Sequence, residues 1–310
     1  ERQGAAGVDV IPTTESATYP WTTVTGSWTG EQVRLERPAG PLLMAGWIKD
    51  SSAAPIFARG GLNLGELMAQ AGKKGFRGTP LNFGFEGTIT SSIRRSATAN
   101  VVARLPGRGK LAAEAVLLGG HYDHLGVRAP VNGDSIYNGA EDNASGTAAV
   151  LTTAEAFVRS GVQPQRSIVF TAFAAEESGL LGSQAYATRP TLPLRNLTAV
   201  LNMDVMNLYG RTSDISALGV DQSSLGRLFT TAAAAEGLRV TVDSGSLIRG
   251  SFFRSDHFPF ARAGVPALSL ESGHDFAGRP AGWGQQQQDE YTEKRYHQPQ
   301  DELLPWFSMD

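Results

Sequence analysis

The chain of 310 residues contains no cysteine. That excludes disulfides, thiolate metal sites and cysteine nucleophiles together. It leaves the redox compartment open, because a chain without thiols is indifferent to it. Histidine is scarce: His121, His124, His257, His274 and His297 are the five. Any transition-metal site must be built from these and from Asp and Glu, so the setting of each histidine is informative. An excess of either charge is also lacking. Lys and Arg number 27 against 30 Asp and Glu, a net charge of −3. No basic footprint exists for a phosphate backbone, so nucleic acid is not an expected partner. No apolar run approaches the ~18 residues of a membrane span, so no membrane partner is expected either. The first twenty residues lack the charged-then-apolar layout of a signal peptide.

What is present changes character near residue 95, which divides the chain into an N-terminal segment, 1–95, and a larger domain, 96–310. In the first part Gly, Pro, Ser and Thr are dense and apolar stretches are short. Gly46-Trp47-Ile48 and Leu81 to Phe85 read as strands, and Leu62 to Ala71 as a short helix stopped by Gly72. In the second part strand-like and helix-like stretches alternate. Asn100 to Leu105, Ala115 to Gly119, Ser167 to Phe173, Leu197 to Met203 and Ala267 to Leu270 read as strands. Ser145 to Arg159 and Leu225 to Glu236 carry apolar residues at helical spacing and end at Gly161 and Gly237. The polar run Gln285 to Gln288 reads as a solvated loop. Apolar strands alternating with helices predict an α/β fold: a mainly parallel mixed central sheet with helices on both faces. Ligands of such sheets bind beyond the carboxyl ends of the strands.

Metal-competent side chains stand at most of those ends. His121-Tyr122-Asp123-His124 follows the second strand, and Glu141-Asp142-Asn143 leads into the first long helix. Glu176-Glu177 follows the third strand, Asp204 the fourth, and Tyr296-His297-Gln298-Pro299 lies near the C-terminus. One such residue is commonplace as a turn or cap. Several in succession point to a metal centre with N and O donors.

At these residues the chain resembles the zinc-dependent M28 peptidases, which include secreted bacterial aminopeptidases. The matching stretches are His-Tyr-Asp-His-Leu-Gly from residue 121, Tyr-Asn-Gly-Ala-Glu-Asp-Asn-Ala-Ser-Gly from 137 and Ala-Ala-Glu-Glu-Ser-Gly-Leu-Leu-Gly-Ser from 174. Asn-Met-Asp, Ser-Asp-His-Phe-Pro-Phe and Tyr-His-Gln-Pro follow in the family's order, at 202, 255 and 296. The resemblance implies a zinc exopeptidase fold and five metal ligands: His121, Asp142, Glu177, Asp204 and His297. Five ligands give two zinc ions three each only if one bridges, and the family's bridge falls on Asp142. One ion would take His121, Asp142 and Asp204, the other His297, Asp142 and Glu177; cobalt or manganese can substitute.

Glu176 would then be the general base for a water bridging the two zinc ions. Asp123 would accept a hydrogen bond from the free imidazole nitrogen of His121. The resemblance also implies a cis peptide bond at Asp142–Asn143, and places Asp256 and His257 near the substrate pocket. A helix start capped by Ser255 explains the last two equally well. His124 and His274 read as structural or surface groups, and Phe252, Phe253, Tyr291 and Tyr296 are candidates for an apolar pocket. Residues 1 to about 60 resemble only the latter part of a protease-associated insert, and the chain stops short of a helix that family members usually add: either it is a fragment or a processed form, or its ends differ from the family's. The expected activity is an aminopeptidase acting on peptides or proteins with a free N-terminus, outside the cell or in the periplasm. The rivals are a single-zinc glutaminyl cyclase of the same fold, a non-catalytic binding domain on the peptidase scaffold, and a dinuclear phosphoesterase.

Overall fold

A computed structural model describes residues 4–17, 19–36, 42–84, 86–242 and 250–308. Cα proximity divides the chain into two compact units. One is Glu1–Val24 with Glu36–Ala97; the other is Thr25–Leu35 with Thr98–Asp310.

In the first unit β1 (Gly7–Val10) pairs in parallel with β2 (Met44–Trp47), in a register that sets Gly7 opposite Met44. Short helices α1 (Thr14–Ala17) and α2 (Trp21–Trp28) follow β1, and the last residues of α2, from Thr25 on, belong to the second unit. After β2 come α3 (Asp50–Arg59) and α4 (Leu64–Ala71). Asn63 caps α4 by accepting from the Glu66 N–H at 3.2 Å, so the helix starts two residues later than the apolar spacing suggests. Residues 81–84 form no strand, and Phe85 lies outside the described residues.

The second unit is built on a seven-stranded sheet in the order β10-β9-β11-β8-β4-β7-β3. Its members are β3 (Val101–Leu105), β4 (Ala115–His121), β7 (Ser167–Phe173), β8 (Leu197–Met203), β9 (Asp214–Leu218), β10 (Arg239–Thr241) and β11 (Ala267–Glu271). The four central strands β7, β4, β8 and β11 run parallel; β3 is an antiparallel edge, and β9 runs antiparallel to β11. A separate hairpin, β5 (Gly126–Val131) with β6 (Asp134–Tyr137), follows β4. This is the mixed, mainly parallel sheet that the strand–helix alternation predicts.

Alternate residues of β4 feed two cores, as the two-residue period of a strand requires. Leu117 packs with Val169, Phe173, Tyr186 and Phe260 under α6 (Leu181–Thr188) and α8 (His257–Arg262). Leu118 packs with Ile168, Phe170 and Val150 under α5 (Ser145–Ser160). Each such large side chain, fully buried, contributes roughly 1.5–3 kcal/mol over its exposed state. The remaining helices are α7 (Leu225–Ala235) and α9 (Trp283–Lys294). No described helix is long and apolar enough to cross a membrane.

The glutamine run Gln285 to Gln288 is not a loop: it lies inside α9. Glutamine is a good helix former, and Gln285 donates to Asp289 one turn on at 2.8 Å while Lys294 pairs with Glu290 at 3.1 Å. The helix buries Gly284 and Tyr291 on one side and supports its polar side with these i, i+4 pairs.

Close backbone approach fixes how α5 meets the sheet. A Cβ on Gly146, in the first turn, would stand 2.2 Å from the Met203 carbonyl oxygen and 2.3 Å from Asn143 Oδ1. Only glycine lets the start of α5 press against the end of β8, and that contact brings the residues before α5 over the carboxyl edge of the sheet.

Candidate metal centre

The three adjacent parallel strands β7, β4 and β8 end side by side, and each end carries an acid or a histidine. His121 is the last residue of β4, Glu176-Glu177 lie three residues past β7, and Asp204 follows β8 directly. Asp142 sits in the turn 140–144 that precedes α5, and His297 comes just after α9. Six residues, from His121 to His297 along the chain, therefore meet at one edge.

Their geometry is that of two half-sites sharing a carboxylate. His121 Nε2 lies 3.2 Å from Asp142 Oδ1 and 3.3 Å from Asp204 Oδ1. His297 Nε2 lies 3.3 Å from Asp142 Oδ2 and 3.0 Å from Glu177 Oε2. Each oxygen of Asp142 thus faces a different imidazole. Glu176 stands against the first half-site, with a carboxylate oxygen, a His121 nitrogen and an Asp204 oxygen all within 4.8 Å of one another. His121, Asp142 and Glu177 form a second such group.

The electrostatics are those of a buried acidic cluster. Burial works against a charge on His297, but Glu177 and Asp142 outweigh it and push its pKa up to about 10. For Glu177 burial is likewise opposed and overcome, by His297 above all, and its pKa falls to about 2. Glu176 goes the other way. Burial lifts its pKa well above the usual carboxylate range; His121 opposes this, while Glu177, Asp204 and Asp256 add to it. The cluster is therefore hungry for positive charge, and its donors are N and O only. Such a donor set fits a zinc-like dication.

A surrounding layer holds these side chains in place. The Asp301 carboxylate accepts from the backbone N–H of Glu141 at 2.9 Å and of Asp142 at 3.0 Å. Glu141 pairs with Arg295 at 3.3 Å and accepts from the Tyr209 hydroxyl at 2.8 Å. The Asp301 and Arg295 links tie the Asp142 turn to the segment that carries His297. The buried Asn143 side chain donates to the Met203 carbonyl at 2.9 Å and accepts from the Gly146 and Val205 N–H groups. The Asp142–Asn143 peptide bond is cis. Ala175, Val205 and His297 adopt left-handed φ of 56°, 55° and 57°. Such a conformation costs a non-glycine residue roughly 1–2 kcal/mol, and here it occurs on or beside three of the segments that carry the cluster.

Several side chains are placed differently from the reading of the sequence. The acceptor for His121 Nδ1 is the backbone carbonyl of Asp123, at 3.0 Å; the carboxylate is 3.9 Å away. That carboxylate instead accepts from the N–H groups of Glu176 at 3.0 Å and Glu177 at 3.4 Å, so Asp123 shapes the loop bearing both glutamates. Of the two alternatives for His124 the structural one holds: its side chain is buried, and its Nδ1 donates to Glu177 Oε1 at 2.7 Å. Ser255 does not cap α8. Its hydroxyl donates to Asp204 Oδ2 and accepts from Asn202 Nδ2. His274 stays with β9, where its N–H donates to Asp214. Phe252 and Phe253 pack on each other and on Phe258, whereas Tyr296 stacks on the His297 ring at 4.0 Å.

Asp256 is fully buried; burial pushes its pKa up to about 7, against the pull of His121 and Ser183, with Asp204 and Asp123 adding to the rise. It therefore feels the same charged cluster. His257 is also fully buried, edge-on to Phe252 at 4.8 Å, and burial holds its pKa down to about 4. Between pH 4 and the ordinary 6.5 the unfolded chain binds this proton and the folded chain does not. Stability is therefore lost as pH falls through that window, by up to about 3 kcal/mol from this group. Urea unfolding of wild type and His257→Leu at pH 7 and pH 4.5 checks it: the variant should show a smaller pH-dependent loss, and an equal loss would refute the assignment.

A sequence model of "Peptidase family M28" matches residues 100–305, about two thirds of the chain. The chain belongs to peptidase family M28. Among M28 relatives it is 33% identical over 208 residues to leupeptin-inactivating enzyme 1 of Streptomyces exfoliatus, covering 65% of this chain and 43% of that protein. It is 31% identical over 185 residues to aminopeptidase YwaD of Bacillus subtilis, covering 59% and 37%. A solved structure of BSAP, a zinc aminopeptidase from Bacillus subtilis, aligns with TM-score 0.47 and 26% identity over 67% of this chain and 45% of that one. The chain spans less than half the length of these curated relatives.

Proposed function

We propose that this M28 chain is a two-metal exopeptidase that removes residues from the free N-terminus of peptides. The observation that carries the reading is Asp142, whose two oxygens face His121 and His297 separately. His121, Asp142 and Asp204 would hold one divalent ion, and His297, Asp142 and Glu177 the other. Bound there, the ions would supply Lewis acidity toward the scissile carbonyl and make water more acidic.

The chain's own groups do the rest. Glu176, with its raised pKa, takes a proton from the attacking water as its oxygen bonds to the carbonyl carbon, and gives that proton to the amine nitrogen as the C–N bond breaks. Asp123 holds the backbone of both glutamates, so the base and the ligand beside it keep a fixed relation. The acidic cluster also suits a substrate ammonium group, and relatives named aminopeptidases favour a free amino end.

The test is cleavage of leucine 4-nitroanilide against its N-acetyl derivative. Only the free amine should be cleaved, 1,10-phenanthroline should abolish turnover, and added zinc should restore it. Equal cleavage of the blocked substrate would overturn the aminopeptidase reading. Turnover indifferent to the chelator would overturn the metal.

A further inference from the structure

We propose that Ser27 is a positioning residue for the metal position that His297 shares with Asp142 and Glu177; the inference rests on the two-metal reading above. Ser27 lies in α2, 270 positions before His297 and outside residues 100–305 that match the family. Its buried hydroxyl oxygen stands 2.6 Å from His297 Nδ1. The other ring nitrogen is turned toward Asp142 and Glu177. An imidazole that offers its Nε2 lone pair to a cation carries its proton on Nδ1, so Nδ1–H donates to Ser27 Oγ. That bond selects the tautomer and sets the plane of the ring, while Tyr296 covers one face of it.

The segment bearing Ser27 is itself held. Arg128 donates through Nη1 to the Thr29 carbonyl and through Nε to the Leu125 carbonyl, both at 2.9 Å. A Cβ on Gly26 would stand 3.3 Å from the His297 carbonyl oxygen, so the two backbones approach closely. His121 meets the same need with a backbone carbonyl of its own loop, that of Asp123. The two metal positions are thus secured differently. One relies on local backbone and the other on a hydroxyl supplied from far away in the chain. Loss of that hydroxyl weakens one position and spares the other.

The experiment is equilibrium dialysis of the full chain against buffered free zinc, with Ser27→Ala, Ser27→Thr and Ser27→Val beside wild type. Threonine and valine share a shape, so their difference reads the hydroxyl alone. Wild type should bind two equivalents. Ser27→Ala and Ser27→Val should bind one as wild type does and the other 10–100-fold more weakly, while Ser27→Thr stays closer to wild type than Ser27→Val. In nitrogen-15 spectra of the zinc-loaded wild type, the His297 Nδ1 proton should be protected from exchange. Circular dichroism of the zinc-free variants reports on their folding. Equal zinc affinity in Ser27→Thr and Ser27→Val would overturn the role of the hydroxyl while leaving two metals in place. Fewer than two equivalents in wild type would overturn the two-metal reading, and this inference with it.

Discussion

Replacing Glu176 by glutamine is expected to lower kcat for leucine 4-nitroanilide by about 10²–10⁴-fold, with zinc content unchanged. The amide keeps the size and the polar contacts of the carboxyl group but cannot accept a proton from water. Glu176 is also the one acid of the cluster that is not needed to give either position three donors, so its loss should not empty the site. Burial first, and then neighbouring acids, push its pKa up, which favours its holding a proton taken from water. Zinc analysis of the same preparation separates lost chemistry from lost metal. A variant within threefold of wild type would remove Glu176 as the base.

Asp142→Ala should be more damaging, because it takes one donor from each position at once. It would leave His121 with Asp204 and His297 with Glu177, two donors apiece, where catalytic zinc ordinarily has three. Zinc affinity should fall by more than ~100-fold at both positions, beyond the effect of removing an outer-layer partner. Titration calorimetry reads this directly. Asp204→Ala, by contrast, should weaken one position and spare the other. If Asp142→Ala lost a single equivalent and kept the second at wild-type affinity, Asp142 would be a ligand of one ion and not a bridge.

The edge where these side chains gather was legible in the sequence because parallel strands deliver their carboxyl ends to one side, and the strands themselves could be found from their apolar runs; the selection of His121, Asp142, Glu177, Asp204 and His297 as ligands is what the M28 resemblance implies. His121, Glu177 and Asp204 are each within four residues of such an end. The layer that aims these residues was much less legible. Asp123 shows why: its spacing from His121 suggests a side-chain contact, but the chain leaves the strand at His121, which turns the carbonyl toward the ring and frees the carboxylate for the Glu176 loop. His124 and Asp301 lie inside the quoted motifs or just beyond them, yet spacing alone does not say which atom they hold. Ser27 carries no local signal, since its partner is 270 residues away and a serine in a short helix looks like any other. Contacts of that range depend on how the segments pack, and hydrophobic period and turn chemistry encode that only weakly.

The central claim is that Asp142 is shared. Crystals of the zinc-loaded chain, with anomalous differences collected on either side of the zinc edge, test it most directly. Two peaks should appear, both within coordination distance of Asp142, one reaching His121 and the other His297. A single peak, or a pair in which only one touches Asp142, would contradict the account.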